Sequence, residues 1–163
     1  MIETNEVEAR VAESLRAVGV PYEVIECDPE FADTAVFCEK YGYRLEDSGN
    51  TIVVASKRGE KKYSACVVRG SDRLDVNRTV RKLMGVPRAS FASAEEVIEL
   101  TGMMIGGVTP FALPDDLPVY VDRRVMDLES VIVGSGSRSS KILVSPEALA
   151  RLPSAEVVEG LSK

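Results

Sequence analysis

The most informative stretch of the sequence is Gly106-Gly107-Val108-Thr109-Pro110-Phe111, which is followed by the run Val119-Tyr120-Val121-Asp122. Two adjacent glycines can adopt positive φ and let a ligand approach the backbone closely. Pro110 fixes its own φ, so the segment from Val108 to Pro110 is held stiffly. The stretch predicts a loop that presents backbone N–H and C=O groups to a small ligand. A tight connection between strands is the alternative, because glycine and proline are common turn residues.

The composition is that of a soluble globular chain. It has 163 residues, 45% of them hydrophobic and 28% charged, which is enough to build a real core and typical of one domain. The net charge of −6 argues against a general-purpose nucleic-acid binder, although a local basic patch can oppose the overall sign. No apolar run approaches the roughly 20 residues of a membrane span, and the acidic N-terminal segment lacks the apolar core of a signal peptide. We therefore predict a cytoplasmic protein.

The sequence contains no histidine, which excludes several kinds of site within one chain. Ser-His-Asp and Cys-His catalysis, histidine metal ligation and histidine pH switching all need that residue. The three cysteines, Cys27, Cys38 and Cys66, are odd in number and form no C-x-x-C pair, so neither a disulfide framework nor a zinc site is indicated. We predict reduced, buried thiols, and no metal or cofactor.

The pattern of apolar, capping and turn residues predicts one α/β domain over residues 1–163. The first helix opens with a capping box of Asn5 and Glu8 and ends at Gly19. Further helices are predicted over 33–41, 75–84, 93–101 and after Ser145-Pro146; strands are predicted over 22–27, 51–56, 63–68, 119–122, 131–134, 141–144 and 157–158, with 103–106 also extended. Because the strands are short and many are joined by tight turns, we expect a mixed, strongly curved, barrel-like sheet flanked by helices.

In order and spacing, several of these pieces resemble the YbaK/ProX family, which includes free-standing aminoacyl-tRNA deacylases and the editing insertion of bacterial prolyl-tRNA synthetases. The Gly106–Phe111 stretch is the most specific of them. The others are Gly49-Asn50-Thr51-Ile52-Val53-Val54, Arg73-Leu74-Asp75, Val119–Asp122, Val133-Gly134-Ser135-Gly136 and Ile142–Leu149. The resemblance runs from about residue 20 to residue 150.

The resemblance implies a pocket for the aminoacyl group and terminal adenosine of a mischarged tRNA. It implies that water hydrolyses the ester without a covalent intermediate or a metal. An aminoacyl-tRNA synthetase is the candidate second partner, above all if the chain is a binding module. Backbone groups of the glycine loop are expected to grip the substrate, helped by the glycine-rich turn, which Arg138 and Lys141 follow. The predicted substrate-binding residues are Gly106, Gly107, Val108, Thr109, Pro110, Gly134, Gly136 and Ser137.

Two predicted catalytic positions carry open alternatives. Asn50 stands where the resemblance implies a lysine, and an amide brings hydrogen bonds but no positive charge. Three outcomes follow: another residue supplies the charge, the substrate specificity has moved, or the chain is a binding module without catalysis. Asp122 is either a carboxylate that orients substrate or water in the pocket, or a cap and ion-pair partner for the short helix that begins at Arg123.

Overall fold

The computed structural model describes residues 4–163, with side chains described from residue 6 onward. Its helices are α1 (Thr4–Val18), α2 (Thr34–Tyr41), α3 (Arg81–Met84), α4 (Ala94–Thr101), α5 (Arg123–Met126) and α6 (Glu147–Ala150). Its strands are β1 (Tyr22–Glu26), β2 (Gly49–Arg58), β3 (Tyr63–Arg69), β4 (Arg88–Phe91), β5 (Val119–Asp122), β6 (Val131–Gly134), β7 (Ser140–Val144) and β8 (Ala155–Val158). The predicted Asn5 cap lies outside the described side chains.

The strands form two sheets. The larger is mixed, in the order β4-β2-β3-β5-β8, with antiparallel pairs at the β4 end and parallel pairs from β3 onward. The smaller is antiparallel, in the order β1-β7-β6. A mixed sheet flanked by helices is therefore confirmed. The two sheets remain open and do not close into a barrel.

The alternation of apolar residues along β3 explains how the layers pack. Ala65 and Val67 face a core that contains residues of both sheets and the apolar stripe of α1, whereas Cys66 and Val68 face a second core beneath α3. A third, smaller cluster around Phe37 holds α2 against the smaller sheet. The larger sheet is thus buried on both faces, as its nearly continuous apolar strands require.

Several predicted elements agree with the structure, with ends that shift by up to two residues, and others differ from the prediction. Ser93 and Glu96 form the predicted capping box, and Gly42, Gly85 and Gly102 end their helices in the left-handed conformation. The helix predicted over 75–84 is wrong in its first half, where residues 76–80 form a π-helical turn. Residues 103–106 form no strand and lead into a turn at 105–107, and β4 was not predicted. None of the helices found in residues 4–163 is both long and apolar enough to cross a membrane.

Candidate functional site

The two sheets meet at a parallel bridge between Ser48 and Ile132, and the main candidate site lies beside this junction. The bridge sets the start of β2, with Asn50, next to the end of β6, with Gly134. Together with α2 and the loop after α4, these strand ends enclose a cavity of about 280 Å³. The polar and glycine residues on its wall are Asp33, Thr34, Ser48, Gly49, Asn50, Thr51, Gly106, Gly134 and Lys141.

The glycine loop is clamped against the turn that follows β6. The N–H of Gly136 donates to the carbonyl of Gly107 at 2.7 Å. A Cβ on Gly134 would overlap the carbonyl oxygen of Val108 and stand 2.8 Å from that of Gly107, and a Cβ on Gly107 would stand 2.7 Å from the carbonyl oxygen of Ser137. Glycine is therefore required here for close backbone approach. The contact fixes the loop without using side chains.

Helix α1 supports the same turn from behind. A Cβ on Gly136 would overlap a methyl group of Val7, and the carboxylate of Glu8 accepts a hydrogen bond from the Ser140 hydroxyl at 2.9 Å. Arg10, one turn further along α1, donates to the carbonyl of Ala112 at 3.2 Å. The helix thus contacts both the turn and the segment that leaves the glycine loop.

Arg138 ties the loop to the N-terminal end of α2. Its guanidinium donates to the carbonyl of Ile105 at 2.7 Å, to the carboxylate of Asp33 at 3.1 Å and to the carbonyl of Pro29 at 3.0 Å. An arginine suits this junction because its planar group offers several donors in fixed directions. Arg138 therefore acts as a brace beside the cavity, with its own charge matched by Asp33.

Two polar residues of β2 line the cavity. The side-chain oxygen of Asn50 accepts a hydrogen bond from the hydroxyl of Thr34 at the start of α2. This bond fixes the orientation of the amide and leaves its NH₂ group for a ligand. The hydroxyl oxygen of Thr51 is buried and has no partner among the described atoms. Buried hydroxyls are nearly always satisfied, so an unpartnered one on a cavity wall is suited to a bound molecule.

Lys141 is the one cation on the cavity wall within the described residues. Its side chain comes from β7, is 5% exposed and passes over the ring of Phe37, with Nζ 5.8 Å from the ring centroid. The ammonium donates to the carbonyl oxygen of Gly106 at 2.7 Å. Burial lowers the pKa of Lys141 below its ordinary value of 10.5. The cavity therefore contains a largely desolvated positive charge at the glycine loop.

The predicted binding residues divide into two layers. Gly106, Val108, Gly134 and Asn50 lie on the cavity wall. The remaining predicted residues, Gly107, Thr109, Pro110, Gly136 and Ser137, are not on that wall, and they form the loop and turn that hold it in place.

The structure places Asp122 outside the cavity wall. The buried carboxylate accepts a hydrogen bond from the Ser162 hydroxyl and caps α5 through the N–H of Arg124, at 3.5 Å. Of the two roles that the sequence left open, the structure shows the helix cap. The reason is the turn of the backbone at the end of β5, which directs the side chain of its last residue back over the first turn of the following helix.

We expect Asp122→Ala to lower the free energy of unfolding by about 1–3 kcal/mol, because it removes a cap and leaves a buried hydroxyl unpaired. Denaturant unfolding measures this loss. The matched control is Asp127→Ala, which removes a carboxylate from the exposed end of the same helix and should change stability by less than about 0.5 kcal/mol. If folded Asp122→Ala loses ligand binding while Asp127→Ala does not, Asp122 acts on the ligand after all.

The cysteines offer no nucleophile to the cavity. Cys38 lies on its wall, but burial raises the pKa of its thiol, as it does for Cys27. Burial raises the pKa of Cys66 to about 12. Since the thiolate is the reactive form, these residues stay protonated at neutral pH and act as small apolar side chains.

Sequence reasoning missed three contributors to the site: Thr34, Thr51 and Lys141 as a wall residue. Lys141 was noted only as a basic residue after the glycine-rich turn. A signal for it was present, since Lys141 directly precedes the apolar run Ile142-Leu143-Val144 in a predicted strand, and such a run predicts a buried segment in which a lysine is unusual. Thr34 and Thr51 carried no such signal, because threonine is ordinary at a helix start and in a strand.

Known proteins resemble this chain along most of its length. The chain is 35% identical over 102 residues to the uncharacterized protein YwhH of Bacillus subtilis, and 24% identical over 112 residues to EbsC of Enterococcus faecalis, named as a proposed Cys-tRNA(Pro)/Cys-tRNA(Cys) deacylase. These matches cover 63% and 69% of the chain, and the chain spans only 64% and 66% of the relatives' own lengths.

A solved structure matches the whole fold. The crystal structure of a proposed trans-editing enzyme for prolyl-tRNA synthetase superposes with a TM-score of 0.81 at 26% identity, covering 100% of this chain and 99% of that one. The family described as the aminoacyl-tRNA editing domain matches residues 28–152, which contain the whole cavity wall. The chain therefore belongs to the aminoacyl-tRNA editing domain family.

Proposed function

We propose that this protein is a trans-editing deacylase that hydrolyses the ester of a mischarged aminoacyl-tRNA. The observation that carries the proposal is the rigid loop at Gly106–Val108, held by backbone contacts at the wall of a cavity that also contains Asn50. EbsC and the trans-editing enzyme are proposed to act in the same class of reaction. The substrate, the catalytic roles and the partners named below are parts of this proposal.

The loop has backbone donors available for a substrate. Among the hydrogen bonds of residues 4–163, none is donated by the N–H of Gly106 or Val108, and both residues lie on the cavity wall. Fixed N–H groups stabilise the negative charge that develops on an ester carbonyl oxygen when water attacks. An aminoacyl ester is already activated, so positioning and such contacts suit its hydrolysis without a histidine.

The size of the cavity suits the aminoacyl end of the substrate. A volume of about 280 Å³ is near the lower end of small-molecule pockets, which begin at roughly 300 Å³. The nucleotide would therefore remain at the mouth, where the side chains of Phe91 and Ile105 are 58% and 59% exposed. An exposed aromatic ring offers a face on which a nucleobase can stack.

A panel of mischarged tRNAs tests the proposal. We expect the wild-type protein to release the amino acid from at least one of them faster than the ester hydrolyses in buffer. The rate should be lost in Gly107→Val, because a branched side chain collides with the backbone of Ser137. Absence of turnover across the panel, with a protein that is folded by circular dichroism, would contradict the proposal.

The alternative is a binding module for aminoacyl-tRNA or a synthetase, favoured by the neutral amide at residue 50. The variant Asn50→Lys separates the two. If the wild-type protein is inactive and Asn50→Lys hydrolyses a mischarged tRNA, the natural chain is the binding module. If the wild-type protein is active and Asn50→Lys is slower, Asn50 belongs to the working site and the position has been re-tuned for a different substrate.

A further inference from the structure

Lys141 combines features that its packing does not explain. It is the one cation on the cavity wall within the described residues, and it takes part in none of the ion pairs found among residues 6–163, since Asp33 on the same wall pairs with Arg138. A buried charge without an ion-pair partner is unfavourable to folding, because one hydrogen bond and the ring of Phe37 replace only part of the hydration that the ammonium loses. Such a group is commonly retained for function, above all in a cleft.

The hydrogen bonds of Lys141 leave part of its capacity unused. An ammonium carries three donors, and within the described residues one of them reaches an acceptor, the carbonyl of Gly106. The remaining donors belong to a group that is 5% exposed and borders the same cavity as Gly106 and Val108, whose N–H groups donate none of the hydrogen bonds found among residues 4–163. The geometry thus brings a positive charge and backbone donors to one wall.

We propose that Lys141 is a catalytic residue whose ammonium contacts the acyl carbonyl oxygen of the bound ester and stabilises the negative charge that forms there. This inference rests on the proposed function. The oxygen of a water molecule bonds to the carbonyl carbon, and the bond between that carbon and the ribose oxygen breaks. The ribose oxygen leaves with a proton from the attacking water. Lys141 stays protonated throughout and supplies charge that Asn50 lacks.

A structural role for Lys141, holding the carbonyl of Gly106, makes different predictions. The variant Lys141→Gln keeps a hydrogen-bond donor but removes the positive charge. The variant Lys141→Met removes both the donor and the charge and keeps a long, flexible side chain. If the charge acts on the substrate, both variants should lose turnover by about a hundredfold, the scale on which one preorganised electrostatic contact with the developing charge acts. The melting temperature of Lys141→Met should stay the same or rise, because an apolar replacement of a buried charge without an ion-pair partner is tolerated.

The matched control is Lys40→Met, which removes the same charge from the exposed face of α2 and should leave turnover unchanged. A rescue experiment tests whether a lysine at another position of the cavity can replace Lys141. If the cavity needs one cation, Asn50→Lys should restore activity at least tenfold in the Lys141→Met protein. Full turnover in Lys141→Gln or Lys141→Met would overturn the proposal.

Binding separates this proposal from the failure of the proposed function. The probe is an aminoacyl-adenosine whose ester is replaced by an amide, which keeps the carbonyl and resists hydrolysis. If the wild-type protein turns over no ester, the proposed function fails, and at least tenfold weaker binding of the probe to Lys141→Met still supports a contact with the carbonyl. Equal dissociation constants, or no binding to either protein, would overturn it.

The pH dependence of binding gives a further readout. The groups that act on Lys141 are Cys27, Arg138, Asp33 and Cys38, and burial is the dominant influence, so the pKa of Lys141 is lowered. The ammonium is charged below this pKa and loses its proton as the pH rises through it. The ratio of dissociation constants between Lys141→Met and wild type, which cancels the titration of the probe, should therefore fall towards one at alkaline pH.

Discussion

Gly134→Ala is expected to reduce the rate of deacylation by about a hundredfold, although the single methyl group that it adds takes no part in the reaction. The new Cβ would overlap the carbonyl oxygen of Val108 and crowd that of Gly107, so the loop must move away from the end of β6. A displacement of about 1 Å in a positioning element commonly costs this much in rate. Steady-state deacylation of the tRNA identified by the panel measures the effect.

The control must separate loss of positioning from loss of stability. Gly85→Ala serves, because Gly85 ends α3 away from the cavity, has positive φ and has open space around its Cα. It should destabilise the fold by about 1 kcal/mol without slowing turnover of the folded protein. If both variants retain the wild-type rate, the contact between Gly134 and the loop does not position the substrate.

Phe111→Ala is expected to lower the free energy of unfolding by about 3–5 kcal/mol, the largest stability effect we anticipate. The side chain is fully buried in the core shared by the two sheets and α1, and it directly follows Pro110 at the end of the glycine loop. Its removal leaves a cavity that the surrounding strands cannot fill. Chemical denaturation with an unchanged m-value measures the loss.

Phe91→Ala is the matched control, because it makes the same change in a side chain that is 58% exposed on the edge strand β4. Its effect on stability should be within about 0.5 kcal/mol. A loss at Phe111 as small as that at Phe91 would show that the end of the glycine loop is not anchored by the core. Weaker tRNA binding by Phe91→Ala at unchanged stability would agree with a nucleobase at the mouth.

Local signals predicted most of the elements because they act within a few residues. The capping box at Ser93, the left-handed glycines after α2, α3 and α4, and the apolar runs of β2, β3 and β5 each reflect local backbone preferences. Two segments depart from these preferences, namely the π-helical turn after Asp75 and the turn at 105–107, which takes the place of a strand predicted over 103–106. The π-helical turn lies between strand β3 and helix α3 and its Val76 and Val80 are buried in the core, so tertiary packing overrides propensity there.

The candidate site was harder to predict because it depends on contacts between distant segments. Asn50 and Gly134 are adjacent on the wall only because Ser48 pairs with Ile132, and no sequence pattern specifies that pairing. The different roles of Lys141 and Asp122 were equally hard to predict from the sequence. Both are charged residues in short, mainly apolar strands, Lys141 near the start of β7 and Asp122 at the end of β5. The direction of each side chain decided which one faces the cavity.

The support that α1 gives to the glycine-rich turn bears on how this protein can be divided. The family match begins at residue 28, ten residues beyond the end of α1, yet Val7 and Glu8 contact the turn that clamps the loop. The segment that matches the family is therefore shorter than the structural unit that holds the glycine loop in this chain. Grafting residues 28–152 alone into another protein would transfer the cavity wall without the helix that packs against it. A graft that keeps the loop in place must include α1.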